Sequence, residues 1–411
     1  MKLKLSLPIL LFFSLLMVFF CCISMAANTQ NDISAMLDDT DAVLVTFSNG
    51  KTLYSENADI KLVPASILKI FTSLVSIHTL GRDYRFKTEF YLDKDHHLKI
   101  KGFGDPLLTS EALADIADLL ARRIDSFNDI LIDDSFFMNP IIIPGTSGYS
   151  IEPYDAPNNA LSVNFNTVNF RRSHNGGYIS AEPQTPLLPF ILPRIAASSL
   201  GKGRIILSRD NDEIALYAGH LIRWFLKSKG INSTGRIRRG RVSETEDKLV
   251  LRYLSNIPME DLITRLLLYS NNFIAGQMLV TAGAEMFGPP GTLEKGLKAA
   301  RKYADCVLKI KDHDLDLKEG SGISRQNRMS AKTFIKVLEA FEPYRYLMRR
   351  EGTVFYKTGT LDGISTRAGY IEQSDGSLFY YVIMMNTPGK STKPVMKKIL
   401  QLVSKQSSPV F

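Results

Sequence analysis

The chain has 411 residues, 50 of them Lys or Arg and 42 Asp or Glu, giving a formal charge of +8, with 45% hydrophobic and 22% charged side chains. That balance excludes wholesale disorder and low-complexity architecture. At roughly 150 residues per domain, the length predicts two or three domains with ample chain for a large core. The long apolar run, Leu5 to Cys22, stands at the N-terminal end and excludes a polytopic membrane protein.

That run follows Lys2 and Lys4 and precedes Ser24-Met25-Ala26, the order of a secretory signal with a small-x-small cleavage site. Residues 1–26 are therefore expected to direct export to the periplasm or cell envelope and to be removed. The other reading is a retained N-terminal anchor, because the run approaches the ~18 residues of a spanning helix. Cys306 then remains as the single cysteine, so no internal disulfide is expected and the core stands on packing. The basic residues are scattered, and their densest cluster, Arg236, Arg238, Arg239 and Arg241, reads as a solvated face. Without aromatic-basic interleaving a nucleic-acid partner is not expected; an anionic cell-envelope polymer is.

A hairpin opens the mature chain: Ala42 to Phe47, the turn pair Asn49-Gly50, and Thr52 to Tyr54. Pro64 stands at the start of a helical pattern with apolar residues at Ile67, Leu68, Ile70, Phe71, Leu74 and Val75. From Tyr84 the pattern turns β-rich, with strands expected at 84–91, 98–100 and 129–132 and one helix over 110–123. Prolines from 140 to 193 mark a long irregular middle section. Helical spacing resumes at 261–268, 275–284, 293–303 and 331–341. Strands at 354–357, 367–371 and 378–385 follow, then an amphipathic helix carrying Val395, Met396, Ile399, Leu400 and Val403 whose stripe reads as core-packing. The plan is an α/β half at each end of the chain and a β-rich insertion between them.

No H-E-x-x-H, G-x-S-x-G or P-loop occurs, and the six histidines are dispersed, so no metal and no cofactor are expected. A lysine three residues after a serine can take the place of a histidine partner, because i and i+3 share a helix face. Ser66-Ile67-Leu68-Lys69 has this spacing at a helix N-terminus, where free N–H groups and the dipole favour negative charge. The spacing alone is common, since Ser48 with Lys51 and Ser199 with Lys202 share it. Order and context decide: Ser66 opens a helix, Ser270-Asn271-Asn272 joins two helical segments, and Lys357-Thr358-Gly359 ends a strand. S-x-x-K, S-D-N and K-T-G form the signature of penicillin-binding proteins and class A β-lactamases.

The sequence resembles the class C, type-4 low-molecular-mass penicillin-binding proteins, the D-alanyl-D-alanine carboxypeptidase/endopeptidase family. Pro64-Ala65-Ser66, Gly104-Asp105-Pro106, Asp133 to Phe137, Ala160 to Asn164, Gly320 to Arg325 and Lys357 to Ile371 carry the resemblance. It implies an α/β (α+β) fold of the penicillin-binding, serine β-lactamase-like type, an antiparallel sheet flanked by helices. The catalytic domain would comprise 27–83 and 257–411, and the inserted β-rich part 84–256. Two departures stand out: Asn271 replaces the usual aspartate, and Gly276 sits where an acidic residue is common.

The resemblance implies acyl transfer from peptidoglycan stem peptides through an ester on Ser66, with Lys69 as base, Ser270 relaying the proton, and Asn272 holding a substrate amide. An ordinary lysine is almost wholly protonated at neutral pH, so Lys69 needs burial or a nearby cation, for which Lys357 is the candidate. The backbone N–H groups of Ser66 and Thr360 would form the oxyanion hole, and Lys357, Thr358, Gly359 and Thr360 would receive the terminal carboxylate. Arg325, Leu361, Asp362, and the Asp133, Asp134 and Phe137 patch match family positions near the substrate side chain, or are surface ion pairs and core packing. β-Lactams would acylate the same serine as covalent inhibitors. The alternatives are a β-lactamase or esterase of the same fold, and a non-catalytic wall-binding protein.

Overall fold

The computed structural model describes residues 29–138 and 140–406. The expected signal, 1–26, lies outside them. Among the described residues no helix is long and apolar enough to cross a membrane.

Strands β1 (Asp41–Phe47) and β2 (Thr52–Glu56) form the expected hairpin. A single 3-10 turn, Ala65–Leu68, runs into α1 (Lys69–Leu80). Next come β3 (Lys87–Leu92), β4 (Leu98–Gly102), α2 (Ser110–Leu120) and β5 (Ile130–Asp133). The middle section holds β6 (Thr167–Arg172), β7 (Tyr178–Ser180), β8 (Lys202–Ile206), α3 (Asn211–Ser228), β9 (Ile237–Arg239) and β10 (Lys248–Leu254). Helices α4 (Met259–Tyr269), α5 (Asn272–Phe287), α6 (Leu293–Cys306) and α7 (Ala331–Phe341) follow. The chain closes with β11 (Arg349–Glu351), β12 (Val354–Leu361), β13 (Ile364–Glu372), β14 (Leu378–Met385) and α8 (Thr392–Ser404).

The middle section is less purely β than expected, because α3 spans 18 residues there. Its signals are in the sequence: Asp210 accepts from the N–H groups of Asp212 and Glu213, and Ile214, Tyr217, Ala218, Leu221, Ile222 and Phe225 recur at helical spacing on the buried side.

Two compact units result. Of the described residues, the first comprises 29–67, 313–315 and 328–406. Its six-stranded sheet has the order β11-β12-β13-β14-β1-β2. β14 is buried along its whole length, so its near-continuous apolar run Leu378 to Met385 is that of a strand covered on both faces. Val395, Met396, Ile399 and Val403 of α8 are buried in the same apolar cluster as Val43, Tyr381 and Ile383, as the amphipathic stripe predicts, whereas Leu400 of that stripe is exposed at the edge of the buried face.

The second unit comprises 68–312 and 316–327. It contains α1 and α4–α6, a five-stranded sheet ordered β10-β3-β4-β5-β9 and a three-stranded sheet ordered β7-β6-β8. The compact units divide the chain differently from the sequence-based domains, and polar contacts show why. Gln277 of α5 is wholly buried and donates to the carbonyls of Gly104 and Asn159, so the helices and the inserted segment share one buried network.

Candidate active site

In the first unit the site is built mainly from backbone. Ser66 follows Ala65, which adopts a left-handed φ of 49°, and lies in the 3-10 turn. β13 flanks β12 on one side, pairing Lys357 with Ala368, Gly359 with Thr366 and Thr360 with Ser365. On the other side β11 pairs only with Val354, Phe355 and Tyr356. From Lys357 to Leu361 that edge therefore has no strand partner among the described residues, and its N–H and C=O groups can receive an extended chain.

Gly359 explains the motif's glycine. A Cβ there would stand 2.6 Å from the Ser66 backbone nitrogen and 2.9 Å from Ala65 Cβ. Only a residue without a side chain lets β12 come this close. Thr366, opposite Gly359, donates to the Pro64 carbonyl at 2.7 Å, fixing the segment that leads into Ser66.

Lys357 is buried, at 3% exposure, and donates to the Thr358 carbonyl at 2.7 Å. Burial lowers its ammonium to about 8, since desolvation penalises the charged form. Thr358 and Thr360 are exposed and face away from Lys357 and Gly359, as strand alternation dictates. What all four share is the open edge. Leu361 packs with Val63, Ala65 and Ile364, and Asp362 is exposed in the turn where Gly363 takes φ 70°.

The second unit holds its part of the site with side chains. Lys69 is wholly buried; its Nζ donates to Asn272 Oδ1 at 2.8 Å and to the Ser321 carbonyl at 2.6 Å. The S-x-x-K and S-x-N motifs therefore meet through an amine and a carboxamide. Ser270 ends α4 in the left-handed conformation, φ 56°, a local arrangement that separates α4 from α5. Asn271 then caps α5, its Oδ1 accepting from Ile274 N–H at 3.0 Å. An aspartate and an asparagine serve equally as such caps, so the departure at 271 leaves the geometry intact.

Gly276 also has a physical reason. A Cβ at 276 would lie 2.0 Å from Asn158 Oδ1. Asn158 is wholly buried and donates to the Phe273 carbonyl at 2.8 Å, so its carboxamide fills the space that a side chain at 276 would need.

Glu319 is a residue that motif reading passed over. Its side chain is wholly buried and accepts from the N–H groups of Ser321, Gly322 and Ser324 and from Asn327 Nδ2. It thereby shapes the loop whose Ser321 carbonyl receives Lys69. An acidic residue directly before Gly-Ser-Gly was the available signal, since such a turn presents several N–H groups to one carboxylate. Arg325, at the end of this loop, is exposed.

The Asp133, Asp134 and Phe137 patch is occupied internally. Asp133 accepts from Ser135 and Val242 N–H, and Asp134 pairs with Arg239 at 2.9 Å. Phe137 is buried beside Phe103, Phe136 and Val280. The arginine cluster supplies the partners: Arg238 pairs with Asp129 and Arg241 with Asp133. It is an ion-paired strand edge as well as a solvated face. Among the described residues no group of three His, Cys, Asp or Glu side chains forms a metal site.

The sequence-predicted residues thus fall into two sets. Ser66, Lys357, Thr358, Gly359, Thr360, Leu361 and Asp362 belong to the first unit, and Lys69, Ser270, Asn272 and Arg325 to the second. A profile of the D-Ala-D-Ala carboxypeptidase 3 (S13) family matches residues 26–189 and 196–345. The chain belongs to that family. It is a serine-type D-Ala-D-Ala carboxypeptidase, as the resemblance implied.

Similar proteins agree with the match. The D-alanyl-D-alanine carboxypeptidase of Actinomadura sp. (strain R39) is 25% identical across 90% of this chain and 83% of its own length. D-alanyl-D-alanine carboxypeptidase DacB of Haemophilus influenzae is 23% identical across 83% of this chain and 84% of its own. Among solved structures, penicillin binding protein 4 (dacB) from Haemophilus influenzae superposes with a TM-score of 0.73 at 19% identity, covering 92% of this chain and 99% of that one. A penicillin G acylated predatory endopeptidase from Bdellovibrio bacteriovorus, Bd3459, gives a TM-score of 0.55 at 17% identity, covering 90% and 93%. The expected penicillin-binding, β-lactamase-like fold with an inserted segment is therefore the fold observed.

Proposed function

We propose that the protein trims or opens peptidoglycan stem peptides through an acyl-enzyme on Ser66, and that β-lactams acylate the same oxygen. The observation that carries this reading is the pair of built halves: Gly359 packed on the Ser66 N–H, and the Lys69 amine held by Asn272 and Ser321.

In the forward step Ser66 Oγ adds to the carbonyl of the penultimate D-alanine. Its proton passes to Lys69, acting as the neutral amine, and through Ser270 to the leaving nitrogen. The C–N bond breaks and the terminal D-alanine departs. Water then attacks the ester, and Ser66 recovers its proton. The N–H groups of Ser66 and Thr360 stabilise the oxyanion, each such donor contributing roughly 2.7–4 kcal/mol. Asn272 holds the amide before the cleaved bond, and Lys357, Thr358 and Thr360 receive the terminal carboxylate from the open edge of β12.

A penicillin-acylated relative with a likeness in fold supports the β-lactam reading. The same machinery serves endopeptidase cleavage when the departing D-alanine amine is replaced by a cross-linked side chain. Export by residues 1–26 would place the enzyme at this substrate. The long inserted segment disfavours a plain β-lactamase or esterase, and the intact set of Ser66, Lys69, Ser270, Asn272 and Lys357 disfavours a passive wall binder.

The test is incubation with a disaccharide pentapeptide and with a cross-linked dimer, followed by chromatography of the products. Release of D-alanine, monomer or both by the wild type, lost in Ser66→Ala, supports the reading. Equal product from Ser66→Ala removes Ser66 from the chemistry.

A further inference from the structure

A cleft beside the second motif has no part in the steps above. Its volume is about 310 Å³, at the small end of ligand sites, which suits one side chain or short arm. Its walls include Tyr269 and Asn271, the two chain neighbours of Ser270, together with Phe165, Phe273, Arg204 and Arg265.

The sequence builds this wall deliberately. Asn164, Phe165 and Asn166 carry φ values of 49°, 60° and 53°, three successive left-handed residues, a conformation that asparagine tolerates and phenylalanine adopts only at a cost. Side chains hold the turn: Asn164 Oδ1 accepts from Ser110 N–H at 2.9 Å, and Asn166 Nδ2 donates to the Ser208 carbonyl at 3.0 Å. The result sets the Phe165 ring edge-on to Phe273, with centroids 6.1 Å apart. Phe273 directly follows Asn272.

The charges at the cleft differ in availability. Arg204 is already engaged by Glu182 and by Thr167 Oγ1. Arg265 is exposed and forms no hydrogen bond or ion pair with any described residue, although Asp261 lies one helical turn before it. Tyr269, four residues on along α4, shares its face. No acidic side chain lines the cleft. An unpaired guanidinium above aromatic walls selects a planar anion on an aliphatic arm, because its fork matches a carboxylate.

We propose that this cleft is an accessory subsite for a free carboxylate on the stem segment preceding the cleaved D-alanyl bond, with Arg265 as its anchor. The proposal rests on the hydrolase reading, in which neighbouring Asn272 holds the amide on that same side of the bond. The matching group is the α-carboxylate of a γ-linked D-glutamyl residue.

The experiment compares two pentapeptides that differ only in whether that D-glutamyl α-carboxyl is free or amidated. For the wild type, kcat/KM should be about tenfold higher for the free acid, mainly through KM, the equivalent of one well-placed charge pair. That preference should shrink as salt rises, fall to near unity in Arg265→Gln, and survive in part in Arg265→Lys. The amidated peptide gives each variant its own reference, so loss of folding cannot imitate loss of preference. Equal wild-type efficiency on both peptides, or an intact preference in Arg265→Gln, overturns the subsite while leaving the hydrolase reading standing. Hydrolysis of neither peptide overturns both.

Discussion

The two halves of the proposed catalytic machinery are made by different physics. In the sheet half, position is set by main chain: β12 lies against the Ser66 N–H because residue 359 has no side chain, and the open strand edge supplies further donors. In the helical half, position is set by buried polar side chains: Lys69 is held by Asn272 and Ser321, and Ser321 is held by Glu319. The sheet half should therefore be damaged by added atoms, and the helical half by lost or mismatched hydrogen bonds.

The sharpest way to break this comparison is Gly359→Ala. One methyl 2.6 Å from the Ser66 nitrogen must push the strand and serine apart. If that separation removes one oxyanion donor, the acylation rate falls about 10²–10³-fold. Stopped-flow acylation by a fluorescent penicillin measures it; an unchanged rate would show that the close approach is irrelevant to catalysis.

In the helical half Glu319→Gln tests the opposite sensitivity. It adds almost no volume but turns a carboxamide NH2 toward N–H donors, leaving at least one buried donor unmatched, a loss of about 1–3 kcal/mol in unfolding free energy. Acylation should slow as well, because the Ser321 carbonyl shifts beneath Lys69. Urea unfolding and acylation kinetics on the same sample check both, and a variant as stable and as fast as the wild type contradicts the role given to Glu319.

Lys357 adds a buried charge to the backbone-built half, and pH reveals it. Its native ammonium titrates near 8 and its unfolded one near 10.4. Below about pH 8 both states carry the proton and this residue adds no pH dependence. Between about 8 and 10.4 the unfolded chain binds more protons, so stability rises with pH, by about 3 kcal/mol in all. Affinity for the peptide carboxylate moves the other way, weakening above about pH 8 as the cation is lost. Lys357→Met should flatten this stability rise; a wild type whose stability shows no rise over that window refutes the burial argument.

The smallest effect is expected at Asn271→Asp, which puts in the aspartate of the S-D-N signature. Both side chains cap α5 through the Ile274 N–H, so stability should change by no more than about 0.5 kcal/mol. A larger change in thermal unfolding would mean that residue 271 does more than cap.

Legibility in the sequence followed the range of the interactions. The motif serines and lysines, the hairpin at Asn49-Gly50 and the apolar run of β14 each announce themselves within a few residues. α3 is legible too, from Asp210 and the spacing of Ile214 to Phe225, although it follows a proline-punctuated stretch whose local pattern is that of irregular structure. Glu319 depends on a loop folding its own N–H groups around one carboxylate, and Gly276 on Asn158 arriving from more than 100 residues earlier. The burial of Asp133, Asp134 and Phe137 depends likewise on Arg239, Arg241 and the apolar cluster around Val280. Such pairings leave no local pattern to read.

Peptide mapping by mass spectrometry after exposure to penicillin addresses the central assignment most directly. A single penicilloyl adduct is expected on the peptide containing Ser66, absent from Ser66→Ala protein of unaltered circular dichroism. An adduct on any other residue, or one that persists in that variant, would contradict it.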